Sequence, residues 1–390
     1  MATVDLIRMR NAAVAAKIET TIGTDVIAGS PSSSDFIGAE VQVQFAQNAI
    51  PDPSYTGTLD DAVPIVGGLR SSLRLTMPLR GSGAAGTAPE FGRLLQACTW
   101  AETVTGTAVG APTALTAGST TTATLQTPFG NTAQQYRGMP LTLSGDQAIT
   151  TGIMNYTSGR VATFGDTLGT GAGTSTSAQI PVNVLYAPTS DESVTKTLTI
   201  YCYYDGLLLK FTGCAGSWSL ELPTGGIGNL SFDLVGTLVA APSTASVPSA
   251  ALGITRQTPP RFVAGRLQLN KGPAQTRSLS INAGVTTILP DDPEASEGTG
   301  AALATKRAIG GSLDPYMNTT LTPARFAAFQ AGTLVTLEAI IGSTAGNRFL
   351  LTLPAIRKTA MNPQARDNLG VDAITFQASG ADSGLYFAQF

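Results

Sequence analysis

Residues 198–237 read LTIYCYYDGLLLKFTGCAGSWSLELPTGGIGNLSFDLVGT, and this stretch decides the fold. Leu198, Ile200 and Cys202 alternate with Thr199, Tyr201 and Tyr203, the period-2 pattern of a strand. Tyr204-Asp205-Gly206 supplies a turn, because Asp-Gly tolerates the positive φ that a tight hairpin needs. Residues 207–211 return. Trp218, Leu220 and Leu222 then alternate with Ser217, Ser219 and Glu221. Gly225-Gly226 turns the chain again, and Leu230, Phe232 and Leu234 carry a last strand. The stretch is a β-meander with one apolar and one polar face. With the turn at Asp205-Gly206, Cys202 should lie opposite a position near Leu209 rather than Cys214, so Cys98, Cys202 and Cys214 are expected to be buried free thiols.

The rest of the composition suits a mainly β chain. Of 390 residues, 43% are hydrophobic and only 13% charged, with a net charge of −3 and 43 glycines. A basic surface for gripping nucleic acid needs clustered Lys and Arg, and that pattern is missing. There is no histidine, so the commonest general base and metal ligand are both absent. No apolar run reaches the roughly 18 residues of a membrane span. The apolar run behind Arg8 and Arg10 is too short, and too soon broken by Lys17 and Glu19, for a signal peptide, so folding in the cytoplasm is expected.

Upstream of the meander, residues 1–35 read as an N-terminal arm, with a short helix over 12–18. Alternation over 36–45 and 69–79 gives two strands around a long polar loop, 47–67, that carries Asp60-Asp61. Thr87-Ala88-Pro89-Glu90 has the form of a capping box, and Phe91, Leu94, Leu95 and Cys98 fall on one helix face. Residues 103–188 are rich in Thr, Gly, Ala and Ser with short strand-like pieces, and read as an inserted small β-module. Residues 241–260, rich in Pro, Ser and Ala, read as a linker.

Beyond the linker the chain starts again. Residues 262–269 resemble 36–43, Asp291-Asp292 matches Asp60-Asp61 in a second long loop over 283–306, and Thr322-Pro323 opens a second helix. Strands then follow over 334–341, 349–354 and 373–378. This suggests a duplicated unit, 36–102 with 189–240 and then 261–390, separated by the insertion and the linker. No nucleophile has a base beside it, the acidic pairs lack calcium-loop spacing, and no phosphate-loop pattern occurs. The expectation is a protein that is not an enzyme and needs no metal or cofactor. Sheet edges with few lysines to block them are a hazard in a monomer and a joining device in an assembly.

In its order of elements the chain resembles the tail tube (major tail) proteins of siphophages. The resemblance rests on the strand–acidic loop–strand start over 36–79, the helix over 89–98, the Thr212-Gly213-Cys214 step into a Gly-rich hairpin, and the closing Leu351-Thr352-Leu353-Pro354 and Phe376-Gln377-Ala378. It covers some 250–300 residues. It implies a duplicated β-sandwich or barrel unit with one short helix each, and subunits that join their sheets into rings around a lumen. Rings stack through long loops, and DNA passes through the bore during ejection. Chains with two fused units form trimers of pseudo-sixfold symmetry. The partners implied are copies of the same chain and other tail proteins, with no membrane; the location implied is the virion tail, after assembly in the host bacterial cytoplasm. On this reading Thr199, Ser219, Glu221, Ser231 and Asp233 line the lumen, with Thr336 and Glu338 from the second unit. Asp60, Asp61, Asp291 and Asp292 sit in ring-stacking loops, and the insertion lies outside the tube. A secreted or surface-displayed β-rich structural or adhesin protein and a head–tail or capsid-decorating virion protein are the alternatives.

Overall fold

The computed structural model describes residues 6–55, 57–295 and 297–390. Residues 1–5 of the expected arm, Thr56 of the first long loop and Ser296 of the second lie outside them. The fold is mainly β, as the alternation predicts. In chain order the first set of elements is Ala12–Ile18 (β1), Glu40–Ile50 (β2), Ile65–Pro78 (β3), helix Gly92–Gln96 (α1), Trp100–Thr105 (β4), Asn183–Pro188 (β5), Leu198–Tyr204 (β6), Gly206–Pro223 (β7) and Asn229–Leu238 (β8). The second is Arg266–Leu269 (β9), Thr276–Asn282 (β10), Val285–Ile288 (β11), Leu303–Arg307 (β12), Gly310–Pro315 (β13), helix Leu321–Gln330 (α2), Val335–Ile341 (β14), Phe349–Arg366 (β15), Leu369–Ala378 (β16) and Tyr386–Gln389 (β17).

The meander is present as β6–β7–β8, all antiparallel. Asp205 and Gly206 make the first turn with φ of 35° and 107°, the region an Asp-Gly pair can enter cheaply. That turn sets the register, and Cys202 faces Leu209. All three cysteines are free and buried.

Strand β7 is 18 residues long and serves two neighbours in turn. Its first half pairs with β6 and its second half with β8. Strand β15, also 18 residues, does the same with β14 and β16. The local irregularity repeats too. Leu198 faces Cys214 and Ile200 faces Phe211; Val335 faces Ile356 and Leu337 faces Leu353. In each case the long strand bulges by one residue.

The hairpin of β2 and β3 has a counterpart in β10–β11 and β12–β13. Val41 faces Leu75 and Leu279 faces Leu313. Ala49 faces Val66 and Thr287 faces Ala304. Ile50 faces Ile65 and Ile288 faces Leu303. All six residues of the second set lie 238 positions after those of the first (279 − 41). This corrects the sequence alignment of 262–269 with 36–43. The segment Arg266–Leu269 is β9, which pairs with β14 as β1 pairs with β6. Under the observed register Asp60 and Asp61 correspond to Gly298 and Thr299, not to Asp291 and Asp292.

Eight strands make one continuous antiparallel run in the order β2-β3-β8-β7-β10-β13-β16-β15. Its middle seam is β7 with β10: Ser219 faces Asn282, Glu221 faces Ser280 and Leu222 faces Leu279. The apolar side of this run carries Leu75, Trp218, Leu220, Phe232, Leu279 and Ile281, all buried in one core. Helix α1, with Phe91 and Cys98 just outside its two ends, closes over that core through Phe91, Leu94, Leu95 and Cys98, each fully buried. The expected capping box does not form; Glu90 instead accepts the Gly38 N–H (3.0 Å) and pairs with Arg256 (2.7 Å).

Residues 12–18 are a strand, not the expected helix. Two neighbours, β6 and Phe36–Ile37, offer backbone partners to β1, and burying Val14, Ala15 and Ala16 between them outweighs the helix preference of alanine. Strands β4 and β5 pair with each other, and between them residues 109–180 form a separate seven-stranded sheet. The stretch 241–260 is not loose: Ser243–Ala245 pairs with the start of β7, and Val247 and Ile254 pack on the small cluster that includes Ile27, Phe36, Tyr201 and Tyr203. The C-terminal strand β17, which the sequence reading did not find, is inserted between β5 and β15.

Candidate functional site

The eight-strand run has one face on the core and one face open. Alternation decides which side chains stand on the open face. Ser219 and Ser231 face each other there, as do Ser217 and Asp233. Glu221 and Asp233 are exposed, while Ser219 and Ser231 are half-buried among their neighbours. Across the seam the same face continues with Ser280 and Asn282, then Ser312 and Thr375. On the other flank it continues with Thr76, Arg74, Gln42 and Gln44. Most of these groups are uncharged. The exposed Arg74 and Asp233 approach to 3.8 Å, a contact worth little in water.

Four of the seven residues assigned to a lumen, Ser219, Glu221, Ser231 and Asp233, therefore share one open surface. The other three do not, since β6 and β14 lie outside the eight-strand run. Thr199 is fully buried because residues 19–27 cover that side of β6. Its hydroxyl meets Glu19, whose carboxylate also accepts from Thr197 and from the Gly213 N–H at 2.8 Å. Thr336 is half-buried, and its carbonyl accepts from the Asn270 N–H at 2.7 Å.

Glu338 is fully buried where the seven-stranded sheet meets β14 and β9. It accepts from Gly152 N–H (2.8 Å), Thr151 Oγ1 (3.1 Å) and Arg266 (2.5 Å), and Arg266 also reaches Asp166 at 2.9 Å. Burial pushes the Glu338 carboxyl above its ordinary range, and Arg266 opposes that shift. This is a clamp between two sheets, not a lining. Alternation along β6 and β14 gave no sign of the chain segments that cover them.

The two long loops are the tips of hairpins. Strands β2 and β3 run on to Ile50 and Ile65, leaving a tip of 51–64 in which Tyr55, Leu59 and Val63 are almost fully exposed. Asp61 is exposed here; Asp60 donates its N–H to Thr58 Oγ1 at 3.2 Å. The second tip is folded back: Asp291 bridges Thr299, and Asp292 accepts from the Glu294 N–H at 2.9 Å. Pairs β11 and β12 lie against β7, with Val285 N–H on Ser217 Oγ at 3.1 Å. The aspartates thus share tip positions but not a common local geometry.

Each end of the eight-strand run is an edge. Strand β2 pairs only with β3, and residues 362–366 of β15 pair only with β16 among the described residues. Both edges are exposed along most of their length. Such edges invite another strand. No helix among the described residues is long and apolar enough to cross a membrane.

A search of curated proteins returns no match. A sequence profile described as phage tail tube protein matches residues 149–379, from within the seven-stranded sheet through β16 and so across the meander, the seam and the second hairpin. More than half of the chain is covered, and it belongs to the phage tail tube protein family, whose members are structural parts of the virion tail.

Proposed function

We propose that the chain is a tube subunit with two fused tube units, and that three copies close a pseudo-sixfold ring. The observation that carries this reading is the β7–β10 seam, where two four-strand sheets with matching order and register already join edge to edge within one chain. A further copy can extend the run at either end by the same kind of contact. Size favours three copies. At about 4.8 Å between strands and a tilt of about 40°, eight strands per chain give a backbone diameter of about 48 Å for three copies. Two copies would give about 32 Å, which inward side chains would narrow close to the width of a DNA duplex.

On this reading the open face lines the bore. Its Ser, Thr, Asn and Gln side chains offer a passing polyanion little to bind, and the chain's net charge of −3 adds no attraction. Hairpin tips 51–64 and 289–302, within the loops 47–67 and 283–306 expected from the sequence, reach the next ring, the sheet of 109–180 stands outside the tube, and other tail proteins cap its ends. Assembly takes place in the host bacterial cytoplasm. Cryo-electron microscopy of tubes formed by the purified chain tests the reading. Three chains per ring are expected; six chains per ring overturn the two-unit assignment.

A further inference from the structure

We propose that β2 of one copy pairs antiparallel with residues 362–366 of β15 in the next copy, in the register the chain uses internally at β7–β10. The proposal rests on the tube reading above and specifies its joint. In corresponding places, the outer edge of β7 is filled by β10, and that of β15 is empty among the described residues. Likewise one edge of β10 is filled by β7, while the matching edge of β2 is empty among the described residues. The two vacancies are complementary.

The register follows from the pairings. Trp218 faces Phe232, which faces Leu75; Met361 faces Ile374, which faces Leu313. Leu75 and Leu313 are counterparts, so Trp218 and Met361 are too, and 219–223 map onto 362–366. On the other strand, 278–282 map onto 40–44. The internal pairs Ser219–Asn282, Glu221–Ser280 and Leu222–Leu279 then become Asn362–Gln44, Gln364–Gln42 and Ala365–Val41 between copies.

Most side chains suit this register. Pro363 and Ala365 meet Val43 and Val41 on the core side, where the valines are already half-buried. Pro363 has no N–H to give where its counterpart Leu220 faces β10, so this joint holds one ladder hydrogen bond fewer than the internal one. Asn362 and Gln364 meet Gln44 and Gln42 on the open side, so four carboxamides extend the uncharged face across the joint. Arg366 comes opposite Glu40; its guanidinium already pairs with Asp314 and stacks on Tyr316, so Glu40 would add a second carboxylate beside it. A one-residue slip would turn the valines outward and the amides onto the core.

Paired cysteines test it in the full-length chain. Burial pushes the Cys202 thiol up to about 12 and raises those of Cys98 and Cys214, so native thiols stay silent. Gln42→Cys with Gln364→Cys, and independently Gln44→Cys with Asn362→Cys, should lose the monomer band on a non-reducing gel after mild oxidation of assembled tubes. The ladder should stop at three chains. Gln42→Cys with Ala365→Cys places the thiols on opposite faces and should stay monomeric. Tubes in the microscope without cross-linking of either matched pair, or with equal cross-linking of the slipped pair, overturn the register and leave the tube reading standing. A folded wild-type chain that never forms rings or tubes overturns both.

Discussion

Leu222 faces Leu279, and neither side chain is exposed to solvent. The pair sits at the middle seam of the eight-strand run, where residues far apart in sequence complete one sheet. Truncating Leu279 to Ala should destabilise the chain by about 2–5 kcal/mol, the range for deleting buried methyls and leaving a cavity. Leu222→Ala should cost a similar amount. The double variant should cost less than the two together, because the partners share one contact. Urea unfolding of the subunit reads all three; additive losses would show that the two leucines do not support each other.

The clamp around Glu338 should show a pH signature. Glu338→Ala leaves Arg266, Thr151 and Gly152 N–H without their buried acceptor and should cost about 3–5 kcal/mol at neutral pH. Burial raises the carboxyl's pKa above its usual value of 4.5, so the folded chain holds this proton more tightly than the unfolded chain. The group's stabilising contribution is then fullest below the unfolded pKa and is lost as pH rises through the folded one. The stability of wild type relative to Glu338→Gln should fall as pH is raised from about 4.5 and level off beyond the folded pKa. Denaturant midpoints of both chains between pH 4 and 8 test the sign.

Charge on the open face should govern DNA movement. Glu221→Lys combined with Asp233→Lys puts cations on exposed positions that make no core contact. Tubes should assemble as before, and ejection should slow as phosphates are held in the bore. Added salt should restore part of the rate by screening. Unchanged ejection kinetics at low salt would place this face away from the DNA.

Excising residues 50–64 removes the exposed tip with Leu59 and Val63 while leaving most of the β2–β3 pairing. The shortened subunit should stay folded by circular dichroism and fail to polymerise in sedimentation. Normal tubes from it would remove the tip from ring stacking.

Local chemistry was legible wherever one or two neighbouring residues decide the outcome. Asp205-Gly206 named its own turn, and with it the pairing of Cys202 with Leu209. Phe91, Leu94, Leu95 and Cys98 showed the helix face that reaches the core. The sequence suggested two matching sets of elements, but with an alignment that the backbone pairing does not keep. Few identities survive between the two sets, whereas backbone pairing keeps a constant spacing of 238 from Val41 to Leu279 and from Ile65 to Ile288's partner Leu303.

Alternation in the meander showed by itself that residues 198–237 form strands with an apolar and a polar side, and it identified Ser219, Glu221, Ser231 and Asp233 as one set. The tertiary structure alone decided which polar sides stay open. Period-2 spacing says that Thr199 and Glu221 avoid the apolar set, but it carries no information about distant segments that cover a strand. Glu19 and residues 20–27 close over Thr199, and the sheet of 109–180 closes over Glu338. Nothing among the described residues covers Glu221 and Asp233, so the polar face of the meander remains open only where β7 and β8 run into the eight-strand sheet.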